Sequence, residues 1–284
     1  MKPPSQKTSL MFAIEDWGSR SAYTKYLTIK LQQLLKKYYI RRSNILKHQN
    51  PLCLRNYEEK IFSQYGEDGI LKEIFRRLGI TEGFSVEFGI EDGSECNTRN
   101  LLEKEHWSGV LMDGGAKNVE SAQKLYANYE KVKIIEAFIT AENILEIFEG
   151  LLIPTSFDLL SVDIDGNDYW IWERILTGYN PKVIVIEYNA KFQPPFEWVM
   201  PYNPSHQWDL SAWFGASLAS LLKLGSKYGY TLVCCNIAGN NAFFVRDDLL
   251  ESHFPDQNRG IDYHYSAPLY CMGFGHPVRP PKSD

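Results

Sequence analysis

From residue 84 onward, short apolar runs alternate with longer stretches whose apolar residues recur at helical spacing. The runs are FSVEFGI, GVLMDGG, KVKIIEAF, FDLLSVDIDG and KVIVIEYNA. They are short and largely continuous, the pattern of strands buried on both faces. Between them lie NTRNLLEKEHW, NVESAQKLYANY, AENILEIFEGLL and DYWIWERIL, each compatible with a helix. Strands alternating with helices predict a doubly wound parallel sheet. The stretch SLASLLKLGSKYGYTLVCCNIAGNNAFFVRDDL then reads as helix, strand, turn, strand, with Gly239-Asn240 as the hairpin turn. Upstream, EDGILKEIFRRLGI predicts an amphipathic helix over 67–80 with Gly79 at its C-terminal cap. Apolar residues between Tyr23 and Ile45 predict another helix, ended before Asn50-Pro51. The expected architecture is Rossmann-like α/β: a mostly parallel seven-stranded sheet with a C-terminal antiparallel hairpin and helices on both faces. A basic helical extension over 1–60 precedes the domain over 61–284.

Charge sharpens that division. The formal net charge is −5, yet residues 1–57 carry eleven Lys or Arg against two acids, and no acid falls between Trp17 and Tyr57. Such an arm can lie on the chain's own acidic body or associate weakly with an anionic surface. No aromatic-basic nucleic-acid module accompanies it, so nucleic acid is not an expected partner. No run reaches the apolar length of a membrane span, and Glu15-Asp16 interrupt the first apolar patch, so a cytoplasmic location is expected. Cys53, Cys96, Cys234, Cys235 and Cys271 are odd in number and lack C-x-x-C spacing, which argues for reduced thiols over a zinc site.

Ligands of open α/β sheets bind beyond the carboxyl ends of the strands, so the residues that finish each strand are the candidates. At the first end, Gly89 and Gly93 permit a tight turn and close backbone approach, and Glu87 supplies an acid. The spacing is not the G-x-G-x-x-G of dinucleotide sites. Asp113 closes the next strand, where an acid can accept from both hydroxyls of a ribose or cap the following helix. Glu136 and Ala137 end the third, in position to meet a base edge by carboxylate and backbone N–H, with Phe138 assigned to the core. The fourth end carries Asp163, Asp165 and Asp168. A calcium loop is excluded there, because Arg174 stands where its closing glutamate belongs. Glu187 and Asn189 end the fifth. Asp163, Asp165, Glu187 and Asn189 form a hard oxygen set suited to Mg²⁺ or another divalent cation, and Asp163, Asp165 and His206 are candidate proton acceptors. The segment over 191–215, rich in Pro and aromatic residues, is the expected acceptor side.

The segments FSQYGEDGIL, VEFGIEDGSECNT, GVLMDG, DLLSVDIDGNDYWIW, VIVIEYN and GNNAFFVRDDL together resemble FkbM-type S-adenosylmethionine-dependent methyltransferases, from about Phe62 to Leu249. Asp-x-Asp-Gly followed by Glu-x-Asn is also similar to macrocin-type sugar O-methyltransferases. The resemblance implies a class I methyltransferase fold with S-adenosylmethionine as cofactor. It implies that Glu87, Gly89 and Gly93 meet the methionine portion, Asp113 the ribose and Glu136 the adenine. Asp163 and Asp165 then flank the reactive methyl. One departure is Glu91-Asp92, where relatives often carry small residues. The implied reaction is O-methylation of a saccharide or small-molecule acceptor. N- or carboxyl-methylation on the same fold, or a non-catalytic nucleotide- or partner-binding module, stay open, as does homo-oligomerisation.

Overall fold

The computed structural model describes residues 50–209, 211–250, 253–255 and 259–268. The expected helix over Tyr23–Ile45 and most of the basic arm lie outside them.

Seven strands form one sheet: β1 (Phe84–Phe88), β2 (Ser108–Asp113), β3 (Val132–Glu136), β4 (Leu159–Val162), β5 (Val183–Glu187), β6 (Tyr230–Cys235) and β7 (Asn241–Arg246). Their spatial order is β3-β2-β1-β4-β5-β7-β6. β1 to β5 are mutually parallel, and β7 runs antiparallel between β5 and β6. This is the mostly parallel, seven-stranded Rossmann-like sheet with a C-terminal antiparallel hairpin that the pattern of apolar runs predicted. The chain passes to opposite sides of β1 by way of β2 and β4, which opens a crevice at their carboxyl ends.

The helices are α1 (Glu67–Leu78), α2 (Arg99–Lys104), α3 (Ala116–Leu125), α4 (Ile144–Gly150), α5 (Asp168–Ile175), α6 (Leu218–Lys227) and the single turn α7 (Ile261–His264). Strand residues alternate between two cores. Val86, Phe88, Ile184 and Ile186 pack with Ile144 and Phe148 of α4, Trp172 of α5 and Leu221 of α6. Leu111, Val183, Val185 and Phe243 pack on the other face with Ile70, Ile74 and Phe75 of α1 and Leu101 of α2. Continuous apolar strands therefore reflect a sheet covered on both sides. The cap of α1 forms as expected: Gly79 adopts φ +68° and Ile80 N–H returns to Phe75 O at 3.0 Å.

Two expectations are revised. Gly239-Asn240 is not a two-residue hairpin turn. β6 and β7 are joined by residues 236–240, and Asn236 Oδ1 accepts from the backbone N–H of Gly239, Asn240 and Asn241. The packed body also starts before residue 61. Leu54 is buried in the second core, and Arg55 donates to the carbonyls of Cys235 and His264. The strap that follows is tied to α1 by Asp68, whose Oδ2 accepts from the N–H groups of Ile61, Phe62 and Ser63. No helix among the described residues is long and apolar enough to cross a membrane.

Candidate active site

A cavity of about 570 Å³ lies beyond the carboxyl ends of β1 to β5, a volume ordinary for a site that encloses a small molecule. Its floor is the row of strand-end turns carrying Gly89, Asp113, Ala137, Asp163 and Glu187. Gln64 and Tyr65 of the strap, the 206–208 loop and Asn240-Asn241 complete its rim.

Gly89 holds the floor together. Its φ is +68°, and a Cβ there would stand 1.5 Å from Asp163 O, so the turns after β1 and β4 interlock through a residue without a side chain. Glu87 lines the wall, but its carboxylate is spent on the chain. Oε1 accepts from Asn97 N at 2.8 Å and Ser161 Oγ at 3.2 Å, while Oε2 accepts from the N–H and hydroxyl of Thr98. Its geometry braces the first loop and leaves little for a ligand's ammonium. Gly93 does not face the cavity either. Its hydrogen side abuts Ala122 and Tyr126, where a Cβ would meet Tyr126 Cε2 at 3.0 Å. The departure residue Glu91 does line the cavity, with φ +50°, whereas Asp92 turns to cap Ser94 N–H at 2.9 Å.

Asp113 takes the capping role foreseen for it. Oδ1 accepts from Gly115 N at 2.7 Å and Asn118 Nδ2 at 3.1 Å, ordering the entry to α3. Oδ2 accepts from Glu91 N at 2.9 Å and faces the cavity with acceptor capacity to spare. Asn118 lines the cavity beside it. At the third strand the expectation fails in detail. Glu136 is exposed and outside the lining, and Ala137 N–H is bonded to Asp113 O at 2.9 Å, so neither offers the expected polar contact to a base. Phe138, assigned to the core, is 45% exposed and lines the cavity beside Gly114. Its ring offers an apolar face there.

Carboxylate oxygens of Asp163, Asp165 and Glu187 lie within 4.8 Å of one another. Burial first, then repulsion from neighbouring acids, pushes all three up: Asp163 (beside Asp165 and Asp168) and Glu187 (beside Asp163 and Asp165) well above the usual carboxylate range, and Asp165 (beside Asp168 and Glu91) to about 7. Lys191 opposes the shift at Glu187. Glu187 Oε2 is buried and meets no protein donor. Asp165 holds φ +54°, a left-handed conformation costly for a residue with a side chain. Asp168 maintains that turn, accepting Ile164 N and Gly166 N at 2.8 Å each from inside the protein. Asn189 drops out of the oxygen set. It is fully buried, its Nδ2 donates to the carbonyls of Ala212 and Phe214, and its Oδ1 accepts from Lys191 N. His206 reaches the cavity, with Nε2 3.1 Å from Asp165 O. A carbonyl only accepts, so Nε2 carries the proton and the lone pair of the neutral ring falls on Nδ1.

Seven acidic residues line the cavity, and no Lys or Arg does so among the described residues. The strand-end rule found five of the seven. It passed over Tyr65, Asn97, Asn118 and Asn241, which reach the lining from loops, from α3 and from the antiparallel strand.

No family model and no curated protein matches the chain. Among solved structures it resembles a CurJ carbon methyltransferase, with 12% identity, 63% of this chain and 52% of that chain covered, and a TM-score of 0.42. The N-terminal domain of EvdMO1 with SAH bound gives 14%, 65%, 81% and 0.42 in the same order. TrmK of M. capricolum, in complex with S-adenosyl-homocysteine, gives 11%, 61%, 65% and 0.37. The chain thus spans about half the length of the CurJ structure.

Proposed function

We propose that this protein binds S-adenosylmethionine and transfers its methyl group to a hydroxyl of a saccharide or another uncharged small molecule. One observation carries the reading: a crevice at the topological switch point whose lining is rich in carboxylates and has no Lys or Arg among the described residues. A phosphate-bearing nucleotide would meet repulsion there, whereas a sulfonium cation is favoured. Asp113 and Asn118 supply oxygen acceptors for ribose hydroxyls, and the face of Phe138 suits the adenine ring. The sulfonium then falls toward Asp163, Asp165 and Glu187.

Methyl transfer breaks the carbon–sulfur bond as the acceptor oxygen forms its own, and the sulfur leaves as a neutral thioether. The protein's work is alignment and removal of one proton from the acceptor. His206 Nδ1 is the proton acceptor best fixed by its surroundings, since Asp165 O holds the ring in the required tautomer. The chemistry of the donor set fits a divalent cation: three converging carboxylates, one with a buried oxygen lacking a protein donor. Asp163, Asp165 and Glu187 would hold it. Such an ion supplies a lower pKa for a bound acceptor hydroxyl. Gly89 and Asp168 keep these carboxylates in place, and Trp208 and Phe214 add apolar surface to the same cavity.

Calorimetric titration with S-adenosylhomocysteine tests the cofactor, and product detection over saccharide and phenolic pools tests the reaction. Binding in the micromolar range is expected. An absence of binding at millimolar S-adenosylhomocysteine overturns the reading.

A further inference from the structure

Where β5 meets β7, the sheet sets a second oxygen beside Glu187. Glu187 and Asn241 are register partners across the antiparallel pair, and both line the cavity. Directly opposed residues of such a pair project from the same face, a few ångströms apart. Asn241 is 3% exposed. Its Nδ2 donates to Glu67 Oε1 at 3.1 Å. Glu67 itself is fully buried and collects four donors: Asn236 Nδ2 at 2.7 Å and Asn241 Nδ2 on one oxygen, Tyr65 N and Gly66 N on the other. A carboxylate so surrounded only accepts, so the Asn241 amide has a single satisfactory orientation, nitrogen toward Glu67 and oxygen away from it. Asn241 Oδ1 is buried and meets no protein donor, the same condition as Glu187 Oε2 across the ladder. Buried acceptors in this state call for a partner, and no Lys or Arg among the described lining residues provides one.

We propose that Asn241 Oδ1 is an oxygen ligand of a divalent cation held with Asp163, Asp165 and Glu187, and that Glu67 is the positioning residue that turns the amide oxygen toward it. This rests on the cation part of the function proposed above. Asn241 takes the place expected from sequence for Asn189, whose amide is spent on the loop over 212–214. A donor on the methyl acceptor would satisfy one of these oxygens. A cation satisfies the orphaned amide, the orphaned carboxylate oxygen and the repulsion among three carboxylates together.

The test uses Mn²⁺ alone with the full chain, without methyl donor or acceptor. Affinity is read by electron paramagnetic resonance titration, and water in the metal's inner shell by electron spin-echo modulation in D₂O. Wild type is expected to bind one Mn²⁺ per chain. Asn241→Leu should bind it at least about ten-fold more weakly and show one additional coordinated water, because the missing ligand is replaced by solvent. Glu67→Gln, which can donate as well as accept and so frees the amide to rotate, should weaken Mn²⁺ in the same direction by less. If Asn241→Leu does not fold by circular dichroism, Asn241→Ser replaces it with the same expectation. Unchanged affinity and an unchanged water count would overturn Asn241 as a ligand and leave the carboxylate site standing. No binding by wild type at millimolar Mn²⁺ would overturn the cation together with this proposal. A parallel titration of each protein with S-adenosylhomocysteine reads the cofactor separately, so the failures are told apart.

Discussion

Gly79 and Gly89 make a matched pair from which the cost of one close approach can be measured. Both hold φ +68°, so alanine at either site incurs the same left-handed backbone penalty, about 1–2 kcal/mol. They differ in what the new methyl meets. At Gly79 nothing lies within 4 Å, while at Gly89 the methyl would stand 1.5 Å from the carbonyl oxygen of Asp163. Relieving that overlap requires the turns after β1 and β4 to part by about 1.5–2 Å, against ordinary non-bonded carbon separations near 3.5 Å. The β4 turn carries Asp163, Asp165 and the contact to His206, so the displacement falls on the acidic end of the cavity. Gly79→Ala is expected to lose about 1–2 kcal/mol in urea unfolding and to keep its affinity for S-adenosylhomocysteine. Gly89→Ala should lose about 4 kcal/mol or more, in the range reserved for severe core defects, or should retain a fold with the Mn²⁺ and cofactor sites disrupted. Equal stability of the two variants, with binding intact in both, would refute the interlock between the first and fourth turns.

Asp113→Ala removes an acceptor facing the cavity and the N–H partner of Glu91. Its affinity for S-adenosylhomocysteine should fall by about 1.5–3 kcal/mol, roughly ten- to a hundred-fold by calorimetry, and an unchanged affinity removes Asp113 from the site. Glu58 accepts from Ile237 N–H, and burial pushes its carboxyl to about 8. A folded-state value above the unfolded one contributes stability that is whole below about pH 4.5 and is lost as pH rises through about 8. Glu58→Gln should therefore flatten the decline of unfolding free energy between those limits by up to about a few kcal/mol; parallel stability–pH curves would contradict the assignment. Deleting residues 1–45 should leave S-adenosylhomocysteine affinity within a few-fold, since every residue placed in the cavity lies after Phe62. Loss of binding by the folded truncation would make the arm part of the site.

The sheet was legible because its strands are buried on both faces and its helices on one, a contrast that survives in the order of apolar residues. The helix over 67–80 and its Gly79 cap could be read for the same reason: local backbone chemistry decides them. The crevice followed from topology. What the sequence hid was the state of each polar group within it. Glu87, Asp168 and Asn189 read as available oxygens, yet Glu87 and Asp168 accept from N–H groups of the turns shaped by the positive φ of Gly89, Glu91 and Asp165, while Asn189 Oδ1 accepts from Lys191 N and its Nδ2 donates to the carbonyls of Ala212 and Phe214. Asn241 was invisible for a related reason. It joins the site only because Asn236 gathers three successive N–H groups and brings β7 into register against β5. Phe138 was misassigned because an aromatic residue after a strand reads as core unless the turn that exposes it is known.

The distribution of charge sets this crevice apart from those of the same fold that accommodate phosphate-bearing cofactors. A phosphate site needs free N–H groups at the first turn and a cation near it. Here the N–H groups of Asn97 and Thr98 are consumed by Glu87, and that of Glu91 by Asp113. The donors that would greet a pyrophosphate are thus turned onto carboxylates of the chain itself. Asp113 and Glu91 also line the cavity, so carboxylates and not N–H groups face a ligand there. At the other end, fully ionised carboxylates with oxygens within 4.8 Å of one another would repel by about 3.5 kcal/mol per pair or more at an effective dielectric near 20. The folded chain tolerates that only by holding protons or by receiving positive charge. The proposed ligand set, a sulfonium at the centre of this lining with a divalent ion beyond it, would relieve both ends at once.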